Sequence, residues 1–113
     1  MLVLCIDFYV NKMRKITFTD KVGNKVVSSL ILYMVSLPSR NLAVIEEVKT
    51  EKKYRKQGRA TKLIIKAIET AIKNDCDCVE LTVREDKPNI QRFYKFFGFF
   101  DRKNRAFRLD LKK

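Results

Sequence analysis

The chain has 113 residues, 46% of them hydrophobic, which is enough for the core of one domain spanning residues 1–113 and argues against disorder. Its formal net charge of +12, from 25 basic and 13 acidic residues, favours a phosphate-bearing ligand, a nucleic acid or an acidic protein as the partner. Histidine is absent, which excludes the Ser-His-Asp triad, Cys-His nucleophiles and the HExxH metal site.

Four strands are predicted before the first helix: LVLCIDFYV, KITFTD, KVVSSLILYMVS and LAVIEEVKT. The turn that contains Gly23 and Asn24 joins the second and third strands as a hairpin. The segment LPSRN, with a proline and turn-forming residues, separates the third strand from the fourth. Only NKMR separates the first strand from the second.

The second half of the chain is predicted to hold two helices. Apolar residues recur at helical spacing from Ala60 to Ile72, and the strand CVELTVR follows. Pro88 begins the second helix, and Gly98 is expected to cap its C-terminal end. The segments FFDRK and RAFRLDLK are predicted as a closing pair of strands. This order of elements indicates an α/β or α+β domain.

The cysteines predict a reducing environment and no metal site. Cys5, Cys76 and Cys78 include one close pair, and without histidine they do not provide the ligands of a zinc site. Their odd number and the lack of a secretory segment indicate an intracellular protein, cytoplasmic or nuclear. Packing in the core is the expected role of these thiols. The longest apolar run, near LILYMV, is too short to cross a membrane.

Gly58 is one of three glycines and lies in the most basic segment, YRKQGRATKLI. It falls between a strand that ends near Thr50 and a helix that begins near Ala60. A glycine loop before a helix suits an anion, because free N–H groups and the helix dipole both favour negative charge there. A pyrophosphate is therefore one interpretation. The other is an ordinary loop before a solvated helix, since neither GxxxxGK[ST] nor GxGxxG is present.

Two motifs here resemble those of the GNAT (Gcn5-related N-acetyltransferase) superfamily. Residues 55–60 match motif A, [RQ]-x-x-G-x-[GA], and FYKFFGFF resembles motif B, FYxxxGF. The resemblance covers about residues 42–100 well and the outer strands by order only. It implies a mixed, mostly antiparallel sheet of about six to seven strands with two main helices. It also implies a cofactor cleft where the family's fourth and fifth strands splay apart.

The resemblance implies acetyl-CoA as the cofactor of an N-acetyltransferase. By position, the backbones of Val48 and Thr50 would pair with the pantetheine arm, and the amides of residues 55–61 would hold the pyrophosphate. Lys87 replaces the usual asparagine of motif B and would either reach a phosphate or only start the helix. The implied cofactor-binding residues are Val48, Thr50, Arg55, Lys56, Gln57, Gly58, Arg59, Ala60, Thr61 and Lys87.

Acetyl transfer to an amine requires proton transfers. Lysine titrates near ~10.4, so a base helps to free its lone pair. Tyr94 has the motif B position of the general acid for the leaving thiolate, and its alternative role is core packing. Glu46 is the expected base, and Glu47 should face the opposite side of the sheet. Glu80 is the second candidate base.

The acceptor side is expected to be open. Family members usually carry two helices between the first and second strands, where this chain has only NKMR. An open groove, or one completed by a second subunit in a homodimer, favours an amine on a protein or peptide. Two other functions stay open: a basic nucleic-acid-binding module, with C-terminal cations among phenylalanines, and an acyl-CoA sensor without catalysis.

Overall fold

The computed structural model describes residues 13–112. The predicted first strand, LVLCIDFYV, and Cys5 lie outside the described residues. The chain divides into two compact units, one that ends at Leu81 and one that begins at Thr82. We call them the N-terminal unit and the C-terminal unit and describe each by itself.

The N-terminal unit is built on a mixed sheet of four strands in the order β1-β2-β3-β4. The strands are β1 (Met13–Val22), β2 (Lys25–Ser36), β3 (Asn41–Thr50) and β4 (Cys78–Glu80). The first three pair in an antiparallel manner, and β4 adds parallel to β3. The predicted hairpin at Gly23 is confirmed, and its φ of +62° is the left-handed conformation that a two-residue turn requires.

Helix α1 (Arg59–Lys73) covers this sheet and closes the core. Its buried residues recur at helical spacing, as the sequence predicts, although Ile72 at the end of the predicted stripe is 67% exposed. Burial of a large aliphatic side chain contributes ~1.5–3 kcal/mol each, which fixes α1 on the sheet. The buried apolar residues of α1 and β2 are Leu63, Ile64, Ala67, Ala71, Val27, Leu30, Leu32 and Met34.

The C-terminal unit contains helix α2 (Pro88–Phe96), which confirms the second predicted helix. Pro88 occupies the first turn, where its missing N–H costs nothing. Gly98, with φ of +98°, donates its N–H to the Lys95 carbonyl at 3.0 Å and ends the helix as predicted. Over residues 13–112, neither helix is both long and apolar enough to cross a membrane.

Residues 13–112 contain four strands, fewer than the six to seven predicted for the whole chain, of which the first lies outside the described residues. The strand CVELTVR is shortened to Cys78–Glu80, and residues 99–112 contain no strand. Phe107, Leu109 and Leu111 alternate with charged residues as predicted, yet they are 92%, 81% and 89% exposed. Alternation produces a strand only where the segment can pair with a neighbouring strand and pack against a core, and residues 99–112 pair with none of the four described strands.

Candidate active site

The loop between β3 and α1 has the backbone geometry of an anion-binding site. A single 3-10 turn at Lys52–Tyr54 leads into it. Lys56 and Gly58 both adopt left-handed conformations, with φ of +61° and +74°. Left-handed residues alternating with others turn successive N–H groups into a concave surface that favours anions. The left-handed conformation of Lys56 could not be predicted from the sequence, because this conformation is uncommon for lysine.

The start of α1 offers further N–H groups to the same loop. Gly58 is the N-cap and provides no side-chain hydrogen bond to the helix. The first helical bond runs from the Lys62 N–H to the Gly58 carbonyl at 3.2 Å. The amides of Arg59, Ala60 and Thr61 precede that bond, so they have no carbonyl partner in the helix. These amides and the helix dipole favour negative charge at this end of α1.

The position of Gly58 leaves room for a ligand. A Cβ built on this residue would have no other atom within 4 Å. Glycine is therefore favoured by its φ of +74° and not by crowding within the chain. Open space over a left-handed glycine, beside unpartnered amides, fits the close approach of a bulky phosphate group.

The basic residues around the loop fall into two groups. Lys52, Lys53 and Lys56 are exposed and form no ion pair with any residue from 13 to 112. The two arginines are held by the protein itself. Arg55 Nε donates to the Thr50 carbonyl at 3.0 Å, and the Arg59 guanidinium forms an ion pair with Asp20 of β1 at 2.8 Å. The three lysines and Arg55 therefore supply positive charge at this loop that is unpaired within residues 13–112, whereas the Arg59 charge is paired and Arg59 can contribute its backbone N–H.

A β-bulge in β3 lies where the base and the cofactor-binding backbone are predicted. Ser29 is paired with Lys49 and Ile31 with Glu46, so Glu47 and Val48 together oppose one residue of β2. Glu47 has a φ of +54°. The bulge interrupts the alternation from which we predicted opposite orientations for Glu46 and Glu47, and both side chains are exposed. No glycine or proline marks it in the sequence.

The edge of β3 that faces β4 is only partly paired. Residues Leu42–Val44 pair with Cys78–Glu80, where β4 ends. The remainder of β3, which includes Val48 and Thr50, continues without a β4 partner. Its other edge is tied to β2, and the Thr50 hydroxyl lies 2.8 Å from the Ser28 hydroxyl. Val48 and Thr50 thus lie on a part of β3 that β4 leaves unpaired, where the Thr50 carbonyl accepts from Arg55 Nε.

Glu80, the second candidate base, is part of an ion pair. Its carboxylate lies 3.5 Å from Arg40 Nη2. This contact holds the side chain near the start of β3, where Arg40 precedes Asn41. Glu46 forms no ion pair with another described residue. The surroundings therefore favour Glu46 over Glu80 as an available carboxylate.

Cys76 and Cys78 are half-buried in the N-terminal unit. Burial and the nearby Asp77, Cys78 and Asp75 raise the pKa of Cys76, so its thiol stays protonated at neutral pH. Cys76 also lines a cleft of about 160 Å³ at the beginning of β3, the end of the strand away from Thr50. The protonated thiol agrees with the expected packing role and not with a nucleophile.

Tyr94 and Lys87 belong to the C-terminal unit. Tyr94 is 8% exposed, and its ring packs edge-on against Phe93 and Phe99 with centroids 5.1 and 5.8 Å away. Burial raises the pKa of Tyr94, which keeps the phenol protonated at neutral pH, as a proton donor must be. Lys87 is the N-cap of α2, and its carbonyl accepts the Gln91 N–H at 3.1 Å. Lys87 therefore does start the helix, one of the two roles expected for it.

The mixed sheet and the two helices belong to a GNAT-like α+β fold. The sequence model of the acetyltransferase (GNAT) family matches residues 5–99. The chain therefore belongs to the GNAT family, whose members are N-acetyltransferases.

Solved structures share this fold at low sequence identity. A transcriptional regulator from Bacillus halodurans C-125 is 23% identical with a TM-score of 0.79, covering 96% of this chain and 74% of that one. An acetyltransferase from Trypanosoma brucei is 25% identical with a TM-score of 0.74, covering 97% and 78%. An aminoglycoside acetyltransferase from an uncultured soil metagenomic sample, in complex with sisomicin, is 18% identical with a TM-score of 0.79, covering 96% and 74%. Among curated proteins, no sequence matches the chain significantly.

Proposed function

We propose that this protein is an acetyl-CoA-dependent N-acetyltransferase, formed by one domain over residues 1–113, that transfers acetyl directly to a primary amine. The observation that carries the proposal is the loop with left-handed Lys56 and Gly58 at the start of α1. In a chain of the GNAT family, this loop offers backbone N–H groups and open space to a pyrophosphate.

The N-terminal unit holds the cofactor in this proposal. The amides of residues 55–61 bind the pyrophosphate, and Lys52, Lys53 and Lys56 add positive charge. The part of β3 that β4 leaves unpaired, at Val48 and Thr50, pairs with the amide groups of the pantetheine arm. When bound, acetyl-CoA supplies an acetyl group activated as a thioester.

Proton transfers fall to three groups of the chain. The Glu46 carboxylate takes a proton from the amine, directly or through a water molecule. The Val48 N–H, in the bulge, donates a hydrogen bond to the carbonyl oxygen as negative charge develops on it. The Tyr94 hydroxyl, which is protonated at neutral pH, donates its proton to the leaving thiolate sulfur.

An amine on a protein or peptide is the acceptor we propose. The described residues up to Thr50 are three consecutive strands without a helix, so no helix among them walls the acceptor side. Small aminated sugars are the other acceptor class, since one structural neighbour is an aminoglycoside acetyltransferase. Parallel assays with lysine peptides and an aminoglycoside separate the two classes. Turnover of the aminoglycoside alone would contradict the protein acceptor.

Nucleic-acid binding is a second candidate, supported by the C-terminal unit. Phe96, Phe100 and Phe107 are exposed there, close in sequence to Lys103 and Arg105. Exposed rings among cations can stack on unpaired bases. Binding of a single-stranded oligonucleotide that weakens steeply with salt would support this candidate.

The first experiment is a calorimetric titration of acetyl-CoA into the protein, at low and at physiological salt. We expect micromolar binding that Gly58→Glu weakens at least ~100-fold, since the change adds strain and negative charge at the loop. Gly23→Glu is the matched control, because Gly23 has a similar φ of +62° and equally open surroundings in the β1–β2 turn. It should bind as the wild type does.

Two results would contradict the proposed site. Equal losses in Gly58→Glu and Gly23→Glu would indicate a general loss of structure, and retained binding in Gly58→Glu would place the ligand elsewhere. Lack of binding by the wild type at both salt concentrations would reject acetyl-CoA as the cofactor and favour the nucleic-acid candidate.

A further inference from the structure

The Arg59 side chain, at the first turn of α1, is held by three different partners. Its Nη1 donates to Asp20 Oδ2 at 2.8 Å, and its Nε donates to Gln57 Oε1 at 3.1 Å. The guanidinium carbon lies 5.2 Å from the centre of the Tyr54 ring. Gln57 and Tyr54 belong to the loop, whereas Asp20 belongs to β1. Arg59 therefore connects the loop to a strand that is remote in sequence.

Among the ion pairs of residues 13–112, the pair of Arg59 with Asp20 has the least exposed side chains, at 24% and 28%. The side chains of Arg40 and Glu80 are 37% and 31% exposed, and those of Arg108 and Asp110 are 84% and 66% exposed. Shielding from water strengthens the attraction and restricts the side chains. A pair of this kind fixes a geometry, whereas an exposed pair contributes little.

Asp20 also lies at a defined place in the sheet. The β1–β2 register shifts directly after it, and Asp20 is paired with Ser28. Ser28 is paired in turn with Thr50, and their hydroxyl oxygens are 2.8 Å apart. The Glu51 N–H, where the loop begins, donates to the Val27 carbonyl at 2.9 Å. Neighbouring residues of β1, β2 and β3 therefore contact both the start of the loop, at Glu51, and its end, at Arg59.

Electrostatics explains why α1 needs this contact. A cation in the first turn opposes the positive end of the helix dipole, and α1 has no acidic residue in that turn. Asp20 supplies the missing negative charge from β1. Without it, the guanidinium would be repelled from the helix start and its contacts with Gln57 and Tyr54 would loosen.

We propose that Asp20 is a positioning residue for the loop between β3 and α1, whose amides at residues 55–61 bind the pyrophosphate in the proposed function. Asp20 acts by holding the Arg59 guanidinium against Gln57 and Tyr54. The proposal rests on the function proposed above. In it, Arg59 serves the ligand through its backbone N–H and through the shape it gives the loop, and its side-chain charge is directed at Asp20. Asp20 has no contact with the ligand.

The proposal predicts a change in acetyl-CoA affinity opposite in sign to the change expected from the local electrostatic potential alone. Removing a negative charge from the neighbourhood of an anion site should strengthen binding if only the local potential matters. If Asp20 positions the loop, Asp20→Asn should instead weaken acetyl-CoA binding by about tenfold, a typical coupling between residues in one network. Asp110→Asn, in the exposed Arg108–Asp110 pair, is the matched control and should leave the affinity unchanged.

Calorimetry on Asp20→Asn, Arg59→Met and the double variant tests the mechanism, with stoichiometry, dissociation constant and melting temperature measured for each. We expect the double variant to bind acetyl-CoA no more weakly than Arg59→Met does, since Asp20 acts through Arg59. A stoichiometry near one shows that the variant protein is folded. If Asp20 only stabilised the fold, the folded variant would bind acetyl-CoA with the wild-type dissociation constant. Tyr54→Leu, which removes the ring beneath the guanidinium without touching β1, should weaken binding in the same direction.

The outcomes separate this proposal from the proposed function. If the wild type does not bind acetyl-CoA, the proposed function fails. If the wild type binds but Asp20→Asn binds equally well or more tightly, Asp20 does not position the loop and only this inference is lost. Additive losses in the double variant would likewise overturn it, as would unchanged binding by Tyr54→Leu.

Discussion

The two units of this chain bury their apolar residues to very different extents. In the N-terminal unit, Leu30, Leu32 and Ile64 are completely buried between the sheet and α1. Within residues 82–112, Tyr94 is the one side chain classed as buried, whereas Phe96 and Phe107 are 85% and 92% exposed. One unit has a closed core, and the other has a small aromatic cluster around α2.

In the proposed function, the N-terminal unit binds the cofactor and the C-terminal unit supplies the proton donor, and the burial of apolar residues in each unit suits its role. A phosphate loop made of backbone N–H groups needs a rigid support, and the buried sheet and helix provide it. A proton donor needs only a local apolar environment, and Phe93 and Phe99 provide it for Tyr94. Binding and proton donation should therefore respond to different mutations.

The largest effect that separates the two units is expected from Tyr94→Phe. The change removes the proton donor but keeps the ring packed, so kcat should fall ~10²–10⁴-fold. The dissociation constant for acetyl-CoA should stay unchanged, because the loop belongs to the N-terminal unit. Steady-state kinetics and calorimetry on the same preparation measure both quantities.

Tyr33→Phe is the control for Tyr94→Phe, since Tyr33 lies within β2 and has no assigned role in the reaction. It should leave kcat unchanged. Wild-type turnover by Tyr94→Phe would remove the tyrosine from the mechanism. Binding without any turnover in the wild type would favour the acyl-CoA sensor.

Ile64→Ala sharpens the comparison of the two cores. Ile64 is completely buried between α1 and the sheet, so its truncation should lower the free energy of unfolding by ~2–5 kcal/mol. Phe107→Ala is the counterpart in the C-terminal unit and should change it by no more than ~0.5 kcal/mol. Urea unfolding followed by circular dichroism measures both values. A loss of similar size for Phe107 would show that this ring is covered in solution.

Elements with a strong local pattern could be predicted from the sequence. The apolar spacing of α1, the turn at Gly23 and the proline and glycine that bound α2 are local signals, and the structure confirms each of them. A loop with Gly58 between a strand and the helix is also predicted and is present in the structure, whereas its binding of a pyrophosphate stays a prediction. In these places local preference and tertiary structure agree.

Features that depend on neighbouring strands could not be predicted. The alternation of Phe107, Leu109 and Leu111 is that of a half-buried strand, but no local pattern says whether an edge will receive it. The bulge at Glu47 arises from the register between β2 and β3, and the pairing of Asp20 with Arg59 joins residues 39 positions apart. Both are properties of the assembled sheet.

The bulge leads to a last prediction, which compares two adjacent carboxylates of the N-terminal unit. Glu46→Gln should lower kcat by about 10²-fold, the lower end for general-base catalysis, because a water molecule can pass the proton. Glu47→Gln is the matched control: its side chain is exposed too, and its carboxylate is already paired with Lys49 Nζ at 3.2 Å. If Glu47→Gln causes the larger loss, the bulge directs the second glutamate to the acceptor. If neither variant slows turnover, the N-terminal unit contributes binding alone, and the proton must leave the amine through solvent.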